Sequence, residues 1–287
     1  MSIALAVWGR EFVERFIEMP LASHAAALAA FGGDVRYLLY TDDDSLAKEI
    51  TRATGRAVER RPLKRFKGYY SMLLNAHQDA LLLARGDVVI PLNADNVVSV
   101  ETFNAIRRRI DEGRKLVMCA STRTDPRSYA PRASADLLRW SAQNMHPITR
   151  ELIWGEGRSA HPSLLYFRRG ESMVVRGFHL HPIAVVADQA FKIEKSIDWN
   201  LGDLLPRSEI HVVCDPNELA VAEISPPSKS MPTQRFRYSM QDVLMWATGM
   251  ARPMHWWFAS RSIRICGDAD CGDAEVFREL SERHGHR

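Results

Sequence analysis

The first 121 residues alternate short apolar runs with amphipathic stretches, and this order constrains the fold more than any other feature of the chain. Residues 3–8, 35–40, 87–92 and 115–121 are rich in Val, Ile, Leu and Tyr, each of a length that suits a buried strand. A further strand is expected near 57–63. Between them, residues 11–31, 45–54, 68–84 and 99–112 carry helical periodicity. Pro20 punctuates the first of these, and Gly32-Gly33, Gly55 and Gly86 close successive stretches, as glycine does after a helix. Strands that alternate with helices predict an α/β domain with a mostly parallel sheet and helices on both faces. Ligands of such sheets bind at the carboxyl ends of the strands. Trp8–Arg10, Thr41–Asp44 and Asn93–Asn96 are therefore the first places to look for chemistry.

The second half changes character. Residues 122–132 read as a loop and 134–145 as a helix. Shorter strands are expected at 162–167, 173–175 and 183–187, and a hairpin from 209–214 and 219–224. The Pro- and Ser-rich run 226–230 reads as a linker, followed by a helix over 234–248. This divides the chain into a domain of 1–225 and a linker with a helical C-terminal extension, 226–287.

Length and charge set the outer limits. With 287 residues and 46% hydrophobic content the chain is long and apolar enough for one or two folded domains. The net charge of +3 is too small to argue for nucleic acid. No window resembles a membrane-spanning helix. The apolar start lacks a basic region before it, so no signal peptide is expected and the cytoplasm is the expected location. Four cysteines are too sparse for a disulfide scaffold, and the single C-x4-C of Cys266 and Cys271 lacks the second pair that a zinc site usually needs. There is no P-loop, dinucleotide-binding glycine motif, nucleophile elbow or H-E-x-x-H.

Several residues carry candidate chemistry. Asp95, just past a central strand, suits a divalent cation that bridges diphosphate oxygens; its structural alternative is a turn cap. Asp42, Asp43 and Asp44 suit hydrogen bonds to a base or ribose, or a helix N-cap. His179 and His181, two apart, share a direction if the segment is extended, and imidazole ligates manganese-like metals. Asp198, beside Trp199, suits a base or a holder of acceptor hydroxyls, or the cap of a short helix. Glu223 lies in an apolar strand and faces either inward or water. The basic stretch 60–67 suits phosphates, an anionic acceptor or a membrane surface, or is a solvated face. His255-Trp256-Trp257-Phe258 reads either as a peripheral membrane anchor at the inner face or as a packed segment.

Taken together, Val7-Trp8-Gly9-Arg10, Asp42–Asp44, Ile90-Pro91-Leu92-Asn93-Ala94-Asp95-Asn96 and Gly177-Phe178-His179-Leu180-His181-Pro182 resemble the strand ends and metal loop of GT-A-type nucleotide-diphospho-sugar glycosyltransferases. The resemblance spans roughly residues 1–225 and implies a GT-A-like, Rossmann-type fold. It implies sugar transfer from a nucleotide-diphosphate donor to a carbohydrate or other hydroxyl acceptor, assisted by Mn2+ or Mg2+. Trp8, Gly9, Arg10, Asp42 and Asp43 would contact the nucleotide. Asn93, Asp95, His179 and His181 would hold the metal, and Asp198 would act as base. The first position of the family's D-x-D is Asn93 here, which supplies an oxygen but no charge. The rival readings are a sugar nucleotidyltransferase and a non-catalytic carbohydrate-binding protein with a degenerate domain of this type.

Overall fold

The computed structural model describes residues 1–64, 66, 68–125, 128–150, 152–155, 163–194, 196–225, 239–269 and 271–285. In chain order, the first elements are β1 (Ser2–Val7), α1 (Arg10–Glu18), α2 (Pro20–Phe31), β2 (Arg36–Thr41), α3 (Leu46–Thr54), β3 (Ala57–Arg61) and α4 (Tyr69–Leu83). Next come β4 (Val88–Asn93), β5 (Asn96–Val98), α5 (Thr102–Asp111), β6 (Leu116–Cys119), β7 (Ser121–Thr124), α6 (Ser134–Gln143) and α7 (Pro147–Arg150). The last are β8 (Leu164–Arg169), β9 (Ser172–Gly177), β10 (His181–Val186), α8 (Ile197–Asn200), β11 (Ile210–Val212), β12 (Val221–Ile224), α9 (Met240–Met250), α10 (Pro253–Ala259), β13 (Ile263–Cys266) and α11 (Gly272–Gly285).

Two compact units form. The first contains Met1–Met118, Ser128–Ala133 and His181–His211; the second contains Cys119–Arg127, Ser134–Leu180 and Val212–Arg287. Each therefore draws on separate stretches of sequence, where the composition had suggested a division at residues 225 and 226. Residues 226–238, expected to hold the linker and the start of a helix, lie outside the described residues.

The first unit is built on a seven-stranded sheet of order β11-β6-β10-β4-β1-β2-β3. β1 pairs in parallel with β2 and with β4, and β2 with β3. β10 runs antiparallel to β4. All six residues of β1 are buried, as a strand flanked on both sides must be. Pro91 has no N–H to donate, yet it sits in a central strand opposite Ala4 of β1. The β4–β10 pairs are Val89↔Val185 and Val88↔Val186, so Pro91 lies beyond them. The alternation read from the sequence thus yields the expected parallel sheet, with β10 as an antiparallel addition.

In the second unit, β8, β9 and β13 form one sheet and β12 pairs in parallel with β7. The expected hairpin between 209–214 and 219–224 does not form: β11 joins the seven-stranded sheet, whereas β12 takes β7 as its partner. That register sets Glu223 opposite Arg123, and the two side chains close an ion pair at 3.1 Å, so Glu223 is a structural partner. The core beside β8 and β9 includes Phe167, Phe178, Val243, Trp256 and Phe277. The helices expected as an extension therefore belong to this core. Trp256 and Phe258 are 5% and 1% exposed, so their apolar faces are spent in packing and the membrane-anchor reading loses its surface. Among the described residues no helix is long and apolar enough to cross a membrane. Cys119, Cys214, Cys266 and Cys271 are all free thiols.

Two buried imidazoles make the first unit sensitive to acid. Burial pushes His24 and His77 down to about 4 from 6.5. The unfolded chain binds these protons first, so stability is complete above about pH 6.5 and falls as pH drops toward about 4. The loss is on the order of 3 kcal/mol per histidine at most. Melting temperature measured from pH 7 to pH 4 should fall steeply below about pH 6.5. His24→Gln should flatten that slope; an unchanged slope would remove His24 from the account.

Candidate functional site at the carboxyl edge of the sheet

Parallel pairing aligns the strand ends. Val7 of β1 lies opposite Thr41 of β2, and Ala6 opposite Asn93 of β4. Residues 8–10, 42–44 and 93–96 therefore emerge at one edge. Because β10 runs the other way, its first residue, His181, lies at this same edge. The sequence had placed the three strand ends, but the direction of β10 had no signal in it.

At the first strand end, Gly9 has φ of 80° and precedes α1, whose first amides, those of Phe12 and Val13, bond to the Gly9 carbonyl. The Gly9 N–H donates to Asp42 Oδ1 at 3.2 Å, which joins two predicted nucleotide residues directly. Trp8 is half-buried beside them. Arg10 is solvent-exposed and bonds Glu14 one turn along α1 at 2.7 Å.

The three aspartates of the second strand end divide their work. Asp43 Oδ1 accepts from the hydroxyl and amide of Ser45 and from the amide of Leu46, so it caps the start of α3. These bonds, that of the Ser45 side chain foremost, hold its carboxyl below the usual range. Asp44 pairs with Arg60 at 2.6 Å. Asp42 is left at the edge with Gly9. Of the basic stretch, Arg61 pairs with Glu59 and Asp79, while Arg65 and Lys67 lie outside the described residues.

The third strand end is a clasped turn. Asn96 Oδ1 accepts from the Asn93 amide at 2.8 Å, so the turn is closed by Asn96. Ser23 of α2 accepts from the Val98 amide at 3.2 Å. Asp95 is 9% exposed within this clasp. Asn93 Oδ1 is buried with no hydrogen-bond partner.

His181 is 8% exposed, and its Nδ1 lies 3.5 Å from Asp198 Oδ1. The cap of α8 is Ser196, whose side chain accepts from the Trp199 amide, so Asp198 is not needed for that task. His179 belongs to the second unit and is half-buried in a bend at 178–179, not in the extended segment the i and i+2 spacing assumed. The preceding Gly177 is tightly held: a Cβ there would lie 2.5 Å from Leu164 Cδ1. His77, missed by sequence reasoning, is buried within electrostatic reach of both Asp198 and His181. A lone histidine on an apolar helix gives no sign of this.

Among the described residues no three His, Cys, Asp or Glu side chains gather as a metal-binding set. The buried Asn93 Oδ1 is an unsatisfied oxygen acceptor, the kind of donor atom that hard cations take, and Asp95 lies two residues on.

The edge defines an α/β protein whose parallel strand ends collect acidic and imidazole groups. Solved structures that match the chain include S. aureus TarS, 19% identical over 47% of this chain and 39% of that one, with a TM-score of 0.33. Glucosyl-3-phosphoglycerate synthase from Mycobacterium tuberculosis, in complex with Mn2+, UDP-glucose and phosphoglyceric acid, is 17% identical over 79% of this chain and 72% of that one, at 0.37. The mannosyltransferase PcManGT from Pyrobaculum calidifontis, in complex with GDP-mannose and Mn2+, is 13% identical over 99% and 69%, at 0.36. This chain thus spans about two fifths of the TarS structure. No protein-family model and no curated protein matches it.

Gly9 tests the backbone of the site. A Cβ there meets nothing within 4 Å, so Gly9→Ala carries only the penalty of a positive φ. Urea unfolding should show a loss of about 1–3 kcal/mol. A neutral result would mean that the Gly9–Asp42 junction does not need this conformation.

Proposed function

We propose that this protein is a nucleotide-sugar glycosyltransferase of the GT-A type, transferring a sugar from a nucleotide-diphosphate donor to a hydroxyl acceptor. The observation that carries the reading is the convergence of Asp42, Asp95 and His181 on one edge of the sheet, with Asp198 beside His181. On this reading, Trp8, Gly9 and Asp42 bind the nucleoside. Asn93 and Asp95, with His181 at the same edge, would hold Mn2+ or Mg2+. A cation held there would supply the positive charge that a diphosphate leaving group needs. Asp198, half exposed, accepts the proton of the acceptor hydroxyl. Arg10 and Asp43 are committed to Glu14 and to the α3 cap, so their part in nucleotide binding requires them to exchange partners.

The 3.5 Å approach of His181 Nδ1 to Asp198 favours a second division of labour. A carboxylate that orients a ligating histidine fixes its ring and raises its basicity. Asp198→Asn separates the roles. A base predicts that kcat collapses with metal affinity intact; an orienting carboxylate predicts metal affinity weaker by about 10- to 100-fold.

Thermal shift with UDP, GDP and CDP, with and without Mn2+, tests the function. Metal-dependent stabilisation by one diphosphate is expected, worth about 2.7 kcal/mol at 100 times Kd. Asp95→Ala should abolish both that dependence and donor turnover without lowering the unliganded Tm. Preference for a triphosphate would support a nucleotidyltransferase. The neutral Asn93 favours a binding module, and no shift with any nucleotide would decide for it.

A further inference from the structure

Three consecutive residues of α4 reach three different parts of the first unit. Helical residues in sequence point about 100° apart, so one turn can hold several partners at once. His77 is 2% exposed, and its Nε2 is buried with no hydrogen-bond partner. The charges that act on it are those of Asp198 and His181. Gln78 donates from Nε2 to the Ile193 carbonyl at 2.7 Å. Ile193 lies in the stretch that leads from β10 into α8, three residues before the Ser196 cap. Asp79 accepts from the Tyr40 hydroxyl at 2.9 Å and lies 3.5 Å from Arg61 Nε. Tyr40 is two residues before Asp42.

We propose that α4 is the positioning helix of this edge, with Gln78 the residue through which it fixes Asp198 beside His181. α8 has only four residues, too few to hold its own orientation. Its place is set by what grips the chain on either side. The Gln78–Ile193 bond is a side-chain grip on that chain from an element that itself packs on β1 and β4. His77 adds a buried imidazole within electrostatic reach of the pair. Gln78 and His77 act through Asp198 and are positioning residues. The role in turnover rests on the transferase reading above, whereas the structural grip does not.

Gln78→Met keeps the bulk of the side chain and removes the donor. Hydrogen exchange on the full chain should show the amides of 196–200 exchanging about 3- to 10-fold faster. Asp79→Asn, made beside it, should leave those amides unchanged. In turnover assays Gln78→Met should lower kcat by about 10- to 100-fold with donor KM unaltered, because the Gly9–Asp42 end is untouched. Unchanged exchange at 196–200 would overturn the proposal, as would a kcat within twofold of wild type or equal losses in nucleotide affinity and rate. If the wild type shows neither nucleotide binding nor turnover, the functional reading fails. The exchange measurement then still decides whether α4 holds Asp198.

Discussion

Parallel pairing on both sides of β1 is the constraint on which the site depends. A strand flanked by two parallel neighbours delivers three chain exits to one edge, because every carbonyl end points the same way. Val7 against Thr41 and Ala6 against Asn93 fix those exits level with one another. This register brings Gly9 to Asp42 across 33 residues. The antiparallel β10 completes the edge, since a reversed strand contributes its first residue where its neighbours contribute their last. Burial of β1 in turn depends on both neighbours being present, so the core and the site rest on the same pairing.

Within each acidic cluster, an identified residue carries the local cap or turn. Asp43 caps α3 and Asp44 meets Arg60, so Asp42 remains at the strand end with Gly9. Asn96 closes the turn that carries Asp95. Ser196 caps the helix that carries Asp198. Caps and turns are the ordinary reason for acids and amides after strands, worth about 1 kcal/mol each. Here identified neighbours carry the caps and the turn at each of the three places.

Much of the first unit was legible because its signals are local. Runs such as Ile3–Trp8 and Tyr37–Tyr40 are apolar on both faces, and the glycines that follow the helices end them cleanly. Strand direction in the second half was not legible. Residues 181–186 and 210–212 are short runs whose partners lie far off in sequence, and a turn sequence such as Asp215–Glu218 suggests a hairpin whichever partner each strand finally takes. The contributions of His77 and Gln78 were hidden for a different reason. Each is an ordinary helical residue, and only the packing of α4 gives its partner a name. The C-terminal aromatics misled for a third reason: Trp256 and Phe258 have the composition of an interfacial anchor, and only their burial beside Phe178 distinguishes a core.

Asn93 shapes the electrostatics of the proposed chemistry. An oxygen without charge attracts a cation much less than a carboxylate does, because charge-assisted contacts are roughly twice as strong as neutral ones. A turn with one acid and one amide therefore binds a divalent ion weakly by itself. A diphosphate brings negative oxygens of its own, and hard cations such as magnesium are held by one or two carboxylates together with substrate phosphates. On the proposed reading, the donor's phosphates would supply the negative oxygens that Asn93 does not. The clasp from Ser23 and Asn96 fits that arrangement: it holds the turn's backbone through partners that need no metal.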